Sequence, residues 1–103
     1  MKFPQLLILS SGLLLAGNAI ADETLLRKNG CFACHTVEKK LVGPALKDIA
    51  AKYHGTAGAV DMLAKKVRAG GSGTWGTTPM APAPASVSDA DLKAAITYIL
   101  TLK

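Results

Sequence analysis

Apolar side chains recur at intervals of three and four residues in several parts of the chain, which is the spacing of one helix face. The clearest stripe follows Ser88 and includes Leu92, Ile96 and Ile99, and serine is a favoured residue at a helix N-terminus. No stretch shows the alternation of apolar and polar residues that is typical of a strand. The pattern therefore predicts an all-α protein with four or so helices, at residues 22–29, 45–53, 57–69 and from Val87 or Ser88 onward.

The segment before the last predicted helix has neither helical nor strand periodicity. Residues 70–73 are Gly-Gly-Ser-Gly, which predicts a flexible link. Residues 74–85 include Pro79, Pro82 and Pro84, and three prolines in six residues favour an extended, polyproline-like loop. We therefore predict an irregular segment between the last two helices.

The N-terminal residues show a different pattern. Lys2 supplies a basic start, an apolar run extends over residues 6–16, and residues 19–21 read Ala-Ile-Ala, the small-residue spacing of a cleavage site. An uncleaved membrane anchor is the alternative, but the apolar run is too short to span a bilayer. We therefore predict that residues 1–21 are a cleaved secretory signal peptide, and that residues 22–103 form one soluble, exported domain without stable membrane insertion.

Size and charge narrow the classes of function. Removal of residues 1–21 would leave 82 of the 103 residues, and a core of that size usually needs a disulfide, a metal or another covalent staple. The formal charge of +5 becomes +4 without Lys2, and the lysines are scattered, so nucleic acid is not an expected partner. Scattered positive charge suits transient electrostatic docking onto an acidic protein surface, although it also serves an ordinary solvated surface.

The motif Cys-x-x-Cys-His at residues 31–35 is the pattern of covalent attachment of a c-type heme. Residues three and four apart lie on one side of a helix, so Cys31, Cys34 and His35 can converge. Two thiols can then add to the vinyl groups of a porphyrin while the imidazole approaches the iron. One covalent heme c would use both cysteines of the chain and would supply the staple that a small core needs.

A Cys-x-x-Cys pair has other interpretations, namely a thioredoxin-like dithiol, half of a zinc site or a small disulfide. No βαβ pattern surrounds the motif, which argues against the dithiol. His54 alone cannot complete a zinc tetrahedron, and no second cysteine pair exists. The sequence therefore favours heme, with His35 as one axial ligand.

The second axial position has several candidates. Met62 lies on a predicted helix, where a core or edge role is more common, and His54 stands at a helix end, where a surface role is more common. A lysine, or no ligand, is a further option. Met80 lies in the proline-bounded segment, which can present a thioether at a fixed position, and we therefore predict Met80 as the ligand.

Ligation by His35 and Met80 is the pattern of c-type electron carriers, because the thioether raises the reduction potential. With both axial positions filled, oxygen and peroxide cannot reach the iron, so we predict an electron-transfer protein that is not an enzyme. The Pro44 carbonyl is a candidate acceptor for the other ring nitrogen of His35. The Trp75 indole is a candidate donor to a heme propionate, and core filling is nearly as simple a role for it.

Five short motifs resemble, in order and spacing, those of the short bacterial class I c-type cytochromes, most of all the cytochrome c-551 (cytochrome c8) type. They are Gly30-Cys-Phe-Ala-Cys-His35, Val42-Gly-Pro-Ala45, Lys47-Asp-Ile-Ala-Ala-Lys-Tyr53, Gly73-Thr-Trp-Gly76 and Pro79-Met80. The resemblance implies a class I cytochrome c fold of four to five helices around one heme, with the first and last helices crossing near Gly30. It also implies a periplasmic monomer that carries electrons from a membrane bc1-type donor to a nitrite reductase or a terminal oxidase.

The same resemblance assigns roles to individual residues. These are thioether bonds for Cys31 and Cys34, axial ligation for His35 and Met80, orientation of the His35 ring by the Pro44 carbonyl, and a propionate contact for Trp75. Two positions depart from the group. An asparagine that commonly bonds the methionine sulfur is replaced by Ala83, and an arginine that often reaches a propionate is replaced by Lys66. These departures predict a less constrained thioether on the Met80 side.

Two other classes of function stay open. A small heme enzyme or sensor would need a labile sixth ligand in place of a firm bond to Met80. A cytochrome subunit of a larger oxidoreductase would need a stable partner. Residues 22–103 contain no additional apolar stretch or long tail, so we expect a monomer with transient redox partners.

Overall fold

The computed structural model describes residues 22–103, and the predicted signal peptide lies outside these residues. In this part of the chain, four α-helices and a two-stranded ribbon follow one another. The bounds are α1 Glu23–Lys28, α2 Leu46–Tyr53, α3 Ala59–Ala69, β1 Gly71–Gly73, β2 Gly76–Met80 and α4 Asp89–Ile99, with a short 3₁₀ helix at Cys31–Ala33. The predicted helices are all present, and each begins one or two residues later than the periodicity suggested.

Side-chain caps fix where the first and last helices begin. The carboxylate of Asp22 accepts a hydrogen bond from the backbone N–H of Thr24 at 2.8 Å. The hydroxyl of Ser88 accepts one from the backbone N–H of Asp91 at 3.0 Å. Both caps satisfy donors that the first turn of a helix leaves without a partner, so these boundaries are determined locally.

Helix α4 is the common wall of the hydrophobic core. One buried cluster joins α1, α2 and α4 and consists of Leu25, Leu26, Leu46, Ala95 and Ile99. A second cluster joins α3 and α4 and consists of Leu63, Ala64 and Ile96. The apolar stripe predicted on the last helix therefore contributes to both clusters. Its packing against α1 brings the N-terminal and C-terminal helices of the domain together.

Truncation of Leu26 to Ala should destabilise the domain, because its side chain is 0% exposed at the junction of α1 and α4. A buried Leu→Ala change removes apolar burial and leaves a cavity, for which we expect a loss of about 3 kcal/mol in the free energy of unfolding. Urea titration followed by circular dichroism measures this loss. A change below about 0.5 kcal/mol, the size typical of surface positions, would contradict the packing described.

The ribbon is a difference from the sequence-based prediction of a flexible link followed by a polyproline-like loop. Strands β1 and β2 pair antiparallel, with Gly71 opposite Met80 and Gly73 opposite Gly76. Every residue of both strands is exposed, so neither strand needs an apolar face and no alternation marks it in the sequence. Gly71, Gly73 and Gly76 have φ values of 123°, 120° and 111°, a region open to glycine, which is why this backbone forms here.

Within residues 22–103, no helix has the length and apolar character that crossing a membrane requires.

Candidate heme site

The Cys-x-x-Cys-His motif forms a tight helical turn directly after α1. Gly30 precedes the 3₁₀ helix with a φ of 79°, and no protein atom lies within 4 Å of the position that a Cβ would take there. Its role is therefore to reverse the chain after α1 rather than to allow a close contact within the protein. The backbone N–H groups of Cys34 and His35 both donate to the Cys31 carbonyl, at 3.3 and 3.0 Å. These two bonds close the turn that carries the three motif residues.

Cys31 and Cys34 are both free thiols in different surroundings. Cys31 is half-buried against the cluster that joins α1, α2 and α4, whereas Cys34 is exposed. Burial raises the pKa of the Cys31 thiol above its usual value, the larger effect, while a backbone hydrogen bond opposes it. Cys31 and Cys34 do not form a disulfide, which leaves both sulfur atoms for thioether bonds.

His35 is the buried polar side chain of the site, with 7% of its surface exposed. Its Nδ1 lies 2.7 Å from the carbonyl oxygen of Pro44. A carbonyl can only accept, so Nδ1 carries a proton, and in the neutral imidazole this leaves the lone pair on Nε2. An imidazole held in this tautomer is prepared to bind a metal through Nε2.

The loop before Pro44 is shaped around the His35 ring. The N–H groups of Val42 and Gly43 donate to the Cys34 carbonyl at 3.2 and 2.8 Å, which ties this loop to the motif. A Cβ at Gly43 would lie 2.5 Å from Cε1 and 2.9 Å from Nδ1 of His35. Position 43 therefore has to be glycine for the His35 ring to keep its position. This requirement was not predicted from the sequence, because the neighbouring residues carry no signal for it.

Trp75 and Met80 lie on the ribbon, apart from the Cys-x-x-Cys-His turn in sequence and in secondary structure. Their exposed fractions are 45% and 39%, which is high for large apolar side chains. The Lys52 ammonium lies 5.7 Å from the centre of the Trp75 ring, and the Lys66 ammonium donates to Thr74 Oγ1 at 2.7 Å. The turn of the ribbon is thus linked to α2 and α3, and no hydrogen bond within residues 22–103 joins it to the motif.

The other candidate ligands of the sequence analysis occupy different surroundings. Met62 is 36% exposed on α3, and His54 is exposed at the end of α2. His54 lines an open depression of about 290 Å³ that includes Tyr53 and Leu100 but none of the predicted site residues. This depression therefore lies away from the chemistry that the motif implies.

The residues present fit a covalently bound heme. Two free thiols, an imidazole with one free ring nitrogen and a thioether are the groups that a c-type heme uses. The described residues also expose five large apolar side chains, namely Leu41, Val42, Met62, Trp75 and Met80. No cluster of three or more His, Cys, Asp or Glu suited to a metal ion occurs in this part of the chain.

Comparison with known proteins agrees with this interpretation. The family model for cytochrome c matches residues 21–103. Cytochrome c-552 of Nitrosomonas europaea is 57% identical over 94 residues, covering 91% of this chain and 90% of that protein. Cytochrome c-551 of Allochromatium vinosum is 54% identical over 88 residues, covering 85% of this chain and 93% of that protein. The crystal structure of wild-type Nitrosomonas europaea cytochrome c552 has a TM-score of 0.75, with 80% of this chain and 100% of that chain covered.

The chain therefore belongs to the cytochrome c family, as a class I c-type cytochrome of the c-551 type. Its fold is the class I cytochrome c fold, with four helices and a small two-stranded sheet in the described residues. It carries one covalently bound heme c, and it transfers electrons rather than catalysing a reaction on a substrate. The predicted fold class, cofactor and general function are confirmed.

Proposed function

We propose that this cytochrome carries one electron at a time through a heme whose iron is bound by His35 and Met80. The observation that supports it most directly is the hydrogen bond of 2.7 Å between His35 Nδ1 and the Pro44 carbonyl. It orients a buried imidazole and leaves Nε2 free, as an axial ligand requires. When bound, the heme supplies a reversible ferrous–ferric couple.

Residues of the N-terminal part of the domain would attach the heme and supply the first axial ligand, and Met80 would supply the second. Cys31 and Cys34, on the turn after α1, would hold the porphyrin through thioethers, so that the cofactor stays attached when the electron leaves. The Pro44 carbonyl would strengthen His35 as a ligand by accepting its second ring proton. Met80 would supply a soft sulfur that favours the reduced state and closes the sixth position to small molecules.

Trp75 and Lys66 would lie near the heme propionates. Both belong to the same part of the structure, because Lys66 bonds to Thr74, the residue before Trp75. Trp75 is 45% exposed, and its indole N–H would donate to a carboxylate of the cofactor. Lys66 would provide a point charge without the fork of an arginine, and its propionate contact would be correspondingly less directional.

We further propose that residues 1–21 are cleaved and that the mature protein is a periplasmic monomer. Its formal charge of +4, counted without Lys2, suits brief docking onto acidic surfaces of redox partners. By resemblance, the donor would be a membrane bc1-type complex, and the acceptor a nitrite reductase or a terminal oxidase. Mass spectrometry of protein from the periplasmic fraction should show a chain that begins at Asp22 and carries one heme.

Ligand binding tests the carrier function against its rivals. The purified ferric protein should show the weak red absorption band of iron bound to a thioether, and the ferrous protein should not bind carbon monoxide at neutral pH. A protein without that band that binds carbon monoxide readily would be a heme enzyme or sensor with a labile sixth ligand. Gel filtration of the mature protein at the size of a stable complex would instead favour a subunit of a larger oxidoreductase.

A further inference from the structure

Arg68 joins α3 to the segment that follows Met80. Its Nη1 donates to the carbonyl of Pro84 at 3.0 Å. Its Nη2 donates to the carbonyl of Val87 at 2.6 Å and to the carboxylate of Asp89 at 2.8 Å. One guanidinium thus holds three points of the chain between Met80 and the start of α4.

The rest of the same helix end also supports the chain around Met80. The backbone N–H of Ala83 donates to the Val67 carbonyl at 3.0 Å. A Cβ at Gly70 would lie 2.7 Å from the Met80 carbonyl oxygen and 2.8 Å from the nitrogen of Pro82, so the two backbones are in close contact. The backbone around Met80 therefore packs against the C-terminal end of α3 at Gly70. Arg68, the last residue but one of that helix, binds the continuation of the same segment at Pro84 and Val87.

We propose that Arg68 is a positioning residue for Met80, which limits how far the thioether can withdraw from the heme iron. The proposal rests on the assignment of Met80 as the axial ligand under the proposed function. In this proposal, the sulfur withdraws from the iron when residues 81–88 move away from α3. The three hydrogen bonds of Arg68 oppose that movement, because a local opening must break them.

The carbonyl bonds carry most of this restraint. The Asp89 side chain is 84% exposed, so its ion pair with Arg68 is screened by water and contributes little. The Arg68 side chain is only 33% exposed, and its bond to Val87 is partly buried. Since both carbonyl acceptors belong to the backbone, the restraint does not depend on which side chains the segment carries.

This role fits the departure at Ala83. An alanine has no side-chain donor for the Met80 sulfur, and only its backbone N–H is used, on the Val67 carbonyl. Arg68 would restrain the backbone of the segment, whereas rotation of the thioether itself would remain free. The same chain can therefore combine a firm Fe–S bond with a variable sulfur orientation.

The test is imidazole binding to purified ferric holoprotein, which measures how often Met80 leaves the iron. In Arg68→Ala, the red thioether band should remain, but imidazole should bind about tenfold faster than to the wild type, as expected for the loss of charge-assisted hydrogen bonds. Hydrogen exchange of the Ala83 amide should accelerate by a similar factor, because that amide is protected by the same closed segment. The amide readout is independent of electron-transfer activity.

Two variants serve as controls and one as a rescue. Lys93→Ala removes an ion pair of 3.2 Å with Asp61, which joins α4 to α3 away from residues 81–88, so imidazole binding should stay within twofold of the wild type. Asp89→Asn should also stay close to the wild type, since it leaves the carbonyl bonds in place. Arg68→Lys keeps the charge with a single donor group and should give an intermediate rate, and it remains informative if the alanine variant does not fold.

Equal imidazole rates and equal Ala83 exchange in the wild type, Arg68→Ala and Arg68→Lys would overturn the proposal. So would equal acceleration in Arg68→Ala and Lys93→Ala, because the effect would then be general destabilisation of the α3–α4 contact. Failure of the underlying assignment looks different: the wild type itself would lack the thioether band and bind imidazole without a barrier.

Discussion

Replacement of Met80 by Ala should abolish the red absorption band of ferric thioether-ligated heme and lower the midpoint potential by on the order of 0.1 V, within the range that axial ligands span in heme proteins. The physical reason is that a soft sulfur stabilises ferrous iron more than ferric iron, and water or an open position does not. The variant should also bind carbon monoxide and cyanide rapidly, because residues 22–103 offer no side chain on the ribbon to take the place of Met80. Optical spectroscopy and voltammetry of the purified protein measure these changes.

Met62→Ala is the matched control for this prediction. Met62 is 36% exposed on α3 and Met80 is 39% exposed on β2, so the two truncations remove the same side chain at similar exposure. The control should keep the band and change the potential only slightly. If Met80→Ala leaves the spectrum and the potential as they are, Met80 is not the ligand. If Met62→Ala abolishes the band instead, the second axial position belongs to α3.

The substitution Gly43→Ala should have the second large effect, although it adds only one methyl group. The added Cβ would lie 2.5 Å from Cε1 and 2.9 Å from Nδ1 of His35, closer than a Cβ normally approaches another heavy atom. Either the ring or the loop has to move, and the loop is held by backbone bonds to the Cys34 carbonyl at 2.8 and 3.2 Å. We expect a loss of about 3 kcal/mol in stability, the upper part of the usual range for overpacking, and a reduced yield of heme-loaded protein.

Two other loop variants separate steric displacement from a general sensitivity of this loop. Val42→Ala shortens a 49% exposed side chain and leaves its backbone bond intact, so it should have a small effect on stability. Pro44→Ala keeps the carbonyl that accepts from His35 and should retain the ligand geometry. Urea titration and the proton NMR shifts of the His35 ring provide the measurements. A fully stable Gly43→Ala with unchanged ring shifts would refute the packing described for position 43.

The features that the sequence predicted correctly depend on interactions between residues that are close in the chain. The cap at Ser88 and the apolar stripe of α4 were predicted correctly, because both can be recognised from residues within a few positions of one another. The ribbon was predicted wrongly as a flexible link and polyproline-like loop. Its strands are fully exposed and rich in glycine, so the pairing of Gly71 with Met80 leaves no periodic signal in the sequence.

The residues of the candidate heme site also fall into those that the sequence predicts and those that only the folded structure reveals. Cys31, Cys34 and His35 could be predicted from the sequence as residues that bind the heme, because one short motif contains all of them. The Pro44 contact could be proposed from resemblance, and the structure has the hydrogen bond. The requirement for glycine at position 43 could not be foreseen, because it arises only when the loop folds back over the ring.

The sequence by itself determined which chemistry this protein carries, since the Cys-x-x-Cys-His motif that implies a covalent heme lies within one short turn. It also determined where the first and last helices begin, since the side-chain caps of Asp22 and Ser88 act over a few positions. Only the tertiary structure decided how the Met80 segment is held, through the bonds from Arg68 to Pro84 and Val87. Those contacts join residues 16 and 19 positions apart, and packing, rather than local spacing, brings them together.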